Sequence, residues 1–453
     1  MANHKESNNV VDIFSLDYEG RGVARDHSGK TVFIKGAMPS ETVSFRVTQS
    51  KKQFDEADVE IVLKSSGERV LPKCCYFDTC GGCALQHIEP SAQVAFKQRV
   101  WEEQLMRIGK VFPQQILPPI YAVPWHYRDR ARLSVEICSS GRVKLGFQAK
   151  RSRNVVDIAS CMILPRHVSV QIPAVKTLLQ ALADSGVSVK FIEFYSDKKL
   201  TVVNLYFAER PSEKTKKQLK KWFDEVLLSS KTQSWQIWTQ YGKEGAKEFY
   251  PESLPGLSYN LSEFGLTMPY RPGDFTQINA DLNALMVARA IKLLDIRSGE
   301  RIADLFCGLG NFSLPMAKCG AKVVGIEGAE HLVERARKNM YENDCGEQGY
   351  FFADDLFETD REKLASWGFF DKMLIDPPRS GAYAVVKSLH YPYLPKLIVY
   401  VSCNPATFAR DAAVLVEKGY VFKSAGVINM FPQTAHIESI GVFEWQGNSI
   451  RHA

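Results

Sequence analysis

From residue 275 onward the sequence alternates between helical periodicity and short, uninterrupted apolar runs: RIADLF, KVVGIE, GYFFA, KMLID and KLIVYVS. Runs of that length without an in-and-out alternation are strands buried on both faces, and the helices between them are what covers those faces. The pattern predicts a long helix near 279–295 and a parallel, doubly wound α/β sheet. The runs VFKSAGVINMF and HIESIGVFEW break the alternation and read as two closing strands joined by a short loop. Ligands of such open sheets bind at the carboxyl ends of the strands, so chemistry is sought in the residues that follow each run.

The chain, at 453 residues, is too long for one core and calls for several compact units. Residues 10–64 carry short β-rich runs (TVFIKG, ETVSFRV, ADVEIVL) at the spacing of a small barrel. Between about 70 and 265 the pattern is mixed: a cysteine cluster, a helix over 91–108, then strand-like RLSVEIC, VKLGFQ and KLTVVNLYF. The run EKTKKQLKKWFDEVLL reads as an amphipathic helix with a solvated basic face. The domains are therefore read as 1–66, 67–265 and 266–453.

A net charge of +6 permits contact with a polyanion without announcing one. No run approaches a membrane helix, and the N-terminal MANHKESNNVVDIF lacks the layout of a signal peptide, so a cytoplasmic protein without membrane contact is expected. Ten cysteines in such a chain argue against a disulfide framework and for metal ligands or catalytic groups.

The first strand of the alternating region runs into Asp304-Leu305-Phe306-Cys307-Gly308-Leu309-Gly310-Asn311-Phe312. Glycines here let the backbone approach a ligand closely, and Glu327, at the end of the second strand, is placed to accept from ribose hydroxyls. The dinucleotide spacing GxGxxG is absent, and the loop resembles the first motif of the class I methyltransferases, which implies S-adenosylmethionine. Asp355, after the third strand, sits where the adenine side is held in such enzymes, with its neighbour Asp354 as a rival.

Two further strand ends carry chemistry. The fourth strand ends in Asp376-Pro377-Pro378-Arg379 and the fifth in Ser402-Cys403-Asn404-Pro405. Asn404 as N-cap and Pro405 at the first helical position leave Cys403 in a tight turn, where the helix N-terminus is expected to lower the thiol pKa. A thiolate that adds to carbon-6 of uracil makes carbon-5 a nucleophile towards a sulfonium methyl. Glu438, in HIES, is the candidate for removing the carbon-5 proton afterwards. Asp376 has acceptor oxygens for the uracil ring N–H, and Phe275 and Gln277 are candidates for stacking on and bonding to an extruded base or the cofactor.

Taken together, DPPRSG, VYVSCNPATFARD, MFPQTAHIESI, DLFCGLGNF and FTQIN resemble the RNA 5-methyluridine methyltransferase family over about residues 266–445. The resemblance implies Cys403 as nucleophile, Glu438 as base, and Gln277, Phe306, Asn311, Glu327, Asp355 and Asp376 as the pocket for cofactor and base. Cys74-x5-Cys80-x2-Cys83, with Cys161 as fourth thiolate, suits an iron-sulfur cluster or zinc. The spacing resembles the 4Fe-4S site of the ribosomal-RNA members of that family, although Cys75 adjoins Cys74. The run GRGVAR through VFIKGAMPSETVSFRV resembles a TRAM domain, an OB-like barrel that binds RNA, with Ser40 where the usual turn has Gly.

The expected architecture is thus a Rossmann-like α/β methyltransferase domain, preceded by a TRAM barrel and a mixed, β-rich central domain with an iron-sulfur cluster. The expected activity is methylation of a uridine in 23S ribosomal RNA by a monomer. Action on another RNA and a non-catalytic iron-sulfur RNA-binding role are the alternatives. A DNA cytosine-5 methyltransferase is disfavoured because its nucleophile follows the fourth strand, which here ends in DPPR.

Overall fold

The computed structural model describes residues 9–228, 233–252 and 254–447. At the N-terminus six strands between Val10–Asp12 and Phe54–Lys64 form one sheet. Alternate residues along them, among them Val32, Ile34, Val43, Phe45 and Ala57, point inward and make a small core of their own. Ser40 stands exposed at a φ of 70°, the left-handed conformation that glycine adopts more easily.

A second six-stranded sheet runs through the middle of the chain, with Leu200–Phe207 and Val189–Ser196 at its centre. The helix Ile172–Asp184 buries Val175, Leu178, Leu179 and Leu182 against it. The basic run folds as the helix Glu213–Trp222 and a π-helical turn, Phe223–Leu227. Of the helix itself Thr215 and Leu219 are buried and the lysines stay in solvent, as an amphipathic period requires.

The third sheet has eight strands in the order Gly349–Ala353, Lys322–Glu327, Arg301–Leu305, Lys372–Ile375, Leu397–Ser402, Glu438–Trp445, Tyr420–Ile428 and Gln115–Ile116. The first five are parallel. Glu438–Trp445 then enters antiparallel between Leu397–Ser402 and Tyr420–Ile428. Strand order reverses between Arg301–Leu305 and Lys372–Ile375, and a crevice opens at such a switch point. The helix predicted over 279–295 is Ala280–Leu294, capped by Asn279, whose Oδ1 accepts from the Leu282 N–H at 3.2 Å.

Residues from the central part of the chain complete this third core. The helix Pro90–Gln104 brings the fully buried Trp101 against Phe408, ring centres 6.3 Å apart, in a cluster with Tyr400, Phe422 and Phe443. Just beyond it a Cβ on Gly109 would lie 2.4 Å from the Ala409 carbonyl oxygen. Only glycine lets this chain segment lie so close to the helix Pro405–Glu417. No helix among the described residues is long and apolar enough to cross a membrane.

Candidate active site

The fifth parallel strand ends at Ser402, and only Cys403 and Asn404 separate it from the helix Pro405–Glu417. Asn404 makes the sharp turn possible: its Oδ1 accepts from the Ala406 N–H at 3.1 Å while its Nδ2 donates to the Arg379 carbonyl at 2.9 Å. The Thr407 hydroxyl donates to the same carbonyl at 3.2 Å. These bonds fasten the cysteine turn to the loop that follows Asp376. That loop is held from its far side as well. Arg410 donates to the Ser380 carbonyl at 3.0 Å, and the buried Asp411 accepts from the Ala382 N–H at 2.8 Å and the Tyr400 hydroxyl at 2.6 Å.

Glu438 reaches the same place through strand register. Ser402 is paired with Ser439, so the next step of the register sets Cys403, just past the end of its strand, beside Glu438, the first residue of its own. Glu438 is 2% exposed. Burial, reinforced by the neighbouring Asp376, holds its carboxyl well above the ordinary range. Burial likewise pushes Asp376 up to about 7. Cys403, half-buried, is pushed up to about 12 by desolvation and by the charges of Glu438 and Asp376, with Arg379 opposing.

The expectation that the helix N-terminus lowers this thiol's pKa is therefore corrected. A terminus contributes the equivalent of about half a charge, and here two nearby carboxyl groups and the loss of water outweigh it.

The turn after Arg301–Leu305 folds tightly. Phe306, Gly308 and Gly310 have φ values of 61°, 55° and 93°, and a Cβ on Gly310 would stand 2.5 Å from Leu314 Cδ1. The Glu327 carboxylate accepts from the Gly308 N–H at 3.0 Å and the Ala329 N–H at 3.1 Å, which fixes it at the mouth of the loop. Asn311 accepts from the Tyr259 hydroxyl at 2.8 Å and exchanges amide bonds of 2.9 Å with Asn283. Gln277 lines the adjoining cleft of about 900 Å³ together with Tyr259 and Asn283, and Phe275 beside it is 63% exposed.

Phe306 packs beside Phe357 at 5.6 Å. Asp354 is occupied, accepting from Trp367 Nε1 at 3.1 Å and pairing with Lys363 at 2.5 Å. Asp355 stays exposed, with one oxygen accepting from the Phe357 N–H at 2.9 Å. Of the two neighbours, Asp355 is the one with acceptor capacity facing outward.

Three participants escaped the reading of motifs. Tyr259 and Asn283 lie outside the loop they brace and carry no local signature. Asp304 is fully buried, bonded by the Ser313 hydroxyl, with Oδ1 lacking a partner, and burial pushes it up to about 7. An acidic residue inside an otherwise apolar strand was the available signal.

Cys74, Cys80, Cys83 and Cys161 are brought close enough to act on one another electrically. Burial pushes Cys83 up to about 12, and Cys161, Cys80 and Cys74 add to it. Cys161, at about 11, is raised by burial and in turn by Cys74 and Cys80. Cys75 is exposed, whereas Cys74 is half-buried with the others. Among the described residues no three His, Cys, Asp or Glu side chains converge on a point that could hold a single metal ion.

The raised thiol makes a testable statement. Because Cys403 is protonated across the neutral range, its alkylation rate, followed on its own peptide by mass spectrometry, is expected to climb about tenfold per pH unit from pH 7 to 10 without levelling. Asp376→Asn and Glu438→Gln should move the profile to lower pH. A plateau below pH 8 in the native protein would overturn this account of the site.

Comparison with known proteins agrees with this layout. The family described as tRNA (Uracil-5-)-methyltransferase matches residues 118–350 and 356–446, and the TRAM domain matches 10–59. The 23S rRNA (uracil(1939)-C(5))-methyltransferase RlmD of Neisseria lactamica is 59% identical over 436 residues, covering 96% of this chain and 95% of its own. The protein of the same name from Thiobacillus denitrificans is 48% identical, covering 96% and 100%. The crystal structure of Pyrococcus abyssi tRNA (uracil-54, C5)-methyltransferase in complex with S-adenosyl-L-homocysteine superposes with a TM-score of 0.72 at 23% identity, covering 96% of this chain and 100% of that one. With a methyltransferase sheet, a TRAM barrel and relatives of this similarity along nearly its whole length, the chain belongs to the family of RNA (uracil-5-)-methyltransferases.

Proposed function

We propose that the protein transfers a methyl group from S-adenosylmethionine to carbon-5 of one uridine in 23S ribosomal RNA, the position its relatives name as 1939, through a covalent bond to Cys403. The observation that carries the mechanism is the meeting of one thiol and two carboxyl groups, Cys403, Asp376 and Glu438, beside the Phe306–Phe312 loop. Asp376 accepts the ring N–H of uracil, which selects against cytosine, and holds the ring over the thiol. As the Cys403 sulfur bonds to carbon-6, its proton passes to solvent at the half-buried thiol, and the carbon-5 to carbon-6 electron pair moves into the ring as an enolate whose carbon-5 is nucleophilic. S-adenosylmethionine, when bound, supplies the sulfonium methyl that carbon-5 takes up. Glu438 then removes the carbon-5 proton; the electrons of that bond restore the double bond and expel the thiolate. A carboxylate kept out of water binds a proton more avidly than an exposed one, which suits it to this removal.

Glu327, already fixed at the loop, receives the ribose hydroxyls; Asp355 serves the adenine side; Gln277, Phe306 and Asn311 complete the pocket. The exposed Phe275 is the stacking surface for the extruded base. Residues 1–66 act as an RNA-binding barrel, 67–265 as the cysteine-bearing central domain and 266–453 as the catalytic domain, in a monomeric cytoplasmic enzyme.

Cys74, Cys80, Cys83 and Cys161 are the residues that would hold a 4Fe-4S cluster. These thiols lie near enough for one to raise the cost of ionising another, as four ligands of one group would. The cluster would cross-link the segment after Arg69 to the loop at Cys161.

Two experiments follow. Protein purified without oxygen is expected to be brown, with iron and sulfide in about equal amounts; colourless protein with stoichiometric zinc would rule out the cluster. The second experiment separates the halves of the mechanism. Cys403→Ala should yield neither methylated RNA nor a covalent species. Glu438→Gln should accumulate a protein–RNA adduct that carries the transferred methyl and survives denaturing electrophoresis. Methylation by Cys403→Ala, or wild-type turnover by Glu438→Gln without adduct, would contradict these assignments.

A further inference from the structure

The loop that delivers Glu438 is clasped from outside the catalytic sheet. Ile428 pairs with Glu438, so residues 429–437 close the hairpin at whose mouth the base stands. Lys97, on the helix Pro90–Gln104, is 3% exposed, and among the described residues no carboxylate pairs with it. Its Nζ donates to Asn429 Oδ1 at 2.7 Å and to the Phe431 carbonyl at 2.9 Å. One turn earlier on the same helix, Gln93 is fully buried. Its Oε1 accepts from the Gln433 N–H at 2.9 Å, and its Nε2 donates to Gln433 Oε1 at 3.0 Å. Gln433 has a φ of 67°, and its carbonyl accepts from the N–H groups of Ala84 and Leu85, directly after Cys83. The Tyr127 hydroxyl donates to the Pro432 carbonyl at 2.8 Å.

A buried ammonium without a counter-ion is costly, and burial lowers its pKa to about 7. A norleucine-like side chain would fill the same space without that cost. What the amine supplies is three directed donors, which carbonyl and amide oxygens at two points of one loop can use.

We propose that Lys97, seconded by Gln93, is a positioning residue for the deprotonation step: by fixing residues 429–433 it sets where the Glu438 carboxylate stands relative to carbon-5. The inference rests on Glu438 acting as the base. In that step the carbon-5 to hydrogen bond breaks, the proton goes to the Glu438 carboxylate, the electron pair re-forms the carbon-5 to carbon-6 bond, and the sulfur of Cys403 leaves as thiolate. A displaced carboxylate leaves attack and methyl uptake intact and slows release alone. A side chain that serves only general stability would slow every step or none.

The test uses the full-length holoenzyme, a 23S ribosomal RNA transcript and cofactor labelled in its methyl group, with Lys97→Met, Gln93→Met and Glu438→Gln side by side. Lys97→Met is expected to lower turnover by about tenfold or more. Its methylated covalent adduct should form at close to the native single-turnover rate and persist several-fold longer on denaturing gels. Equal slowing of adduct formation and release, or native behaviour of Lys97→Met, would overturn the proposal. If Lys97→Met does not fold, Gln93→Met, which introduces no charge, decides on the same readout. Adduct accumulation by Glu438→Gln without it in the other two variants defeats this inference alone. Its absence in Glu438→Gln defeats the base assignment on which the inference stands.

Discussion

Three acidic groups that repel one another's ionisation share one desolvated recess, and the rest of the catalytic domain is arranged around keeping them there. Asp376 raises the cost of charging Cys403 and Glu438, Glu438 raises that of charging Cys403, and burial acts on all three. Exposed to solvent, these groups would titrate independently, and neither the protected thiol nor the strongly basic carboxylate would exist.

Holding like-natured groups together requires rigid attachment, and the fold provides it by distinct means. The cysteine turn is tied to the Asp376 loop through the Arg379 carbonyl, which Asn404 and Thr407 both bond. Glu438 comes by antiparallel register across Ser402 and Ser439. Behind them, Trp101 and Phe408 pack a helix from the central part of the chain against the catalytic helix Pro405–Glu417. The segment after Cys83 then reaches the Glu438 loop through Gln433. The catalytic centre therefore depends on segments more than 300 positions away in sequence, as the separation of 340 between Gln93 and Gln433 illustrates.

The parallel strands, the capped turn at Asn404 and the helix Ala280–Leu294 were legible because local rules decide them: uninterrupted apolar runs, an N-cap followed by proline, and a helical period. The edge strand Gln115–Ile116 was not, since two residues carry no periodicity and their pairing with Ser424 and Ala425 is settled by tertiary contact. The sequence likewise suggested an activated thiol at Cys403, because a helix N-terminus can be read from a motif and the burial of two distant carboxyl groups cannot. Tyr259, Asn283 and Lys97 stayed hidden for the same reason: each acts on a loop far away in the chain, through bonds that only the fold brings about.

The most direct test of a thiol that bonds to carbon-6 while a carboxylate waits for a proton at carbon-5 is to withhold that proton. RNA carrying 5-fluorouridine at the target position has fluorine where the base expects hydrogen, and it should trap the wild-type enzyme. Incubation with S-adenosylmethionine and peptide mass spectrometry should find a stable adduct on Cys403 that contains both the nucleotide and the transferred methyl. Failure to form an adduct with RNA that is otherwise bound, or an adduct on any other cysteine, would contradict the account.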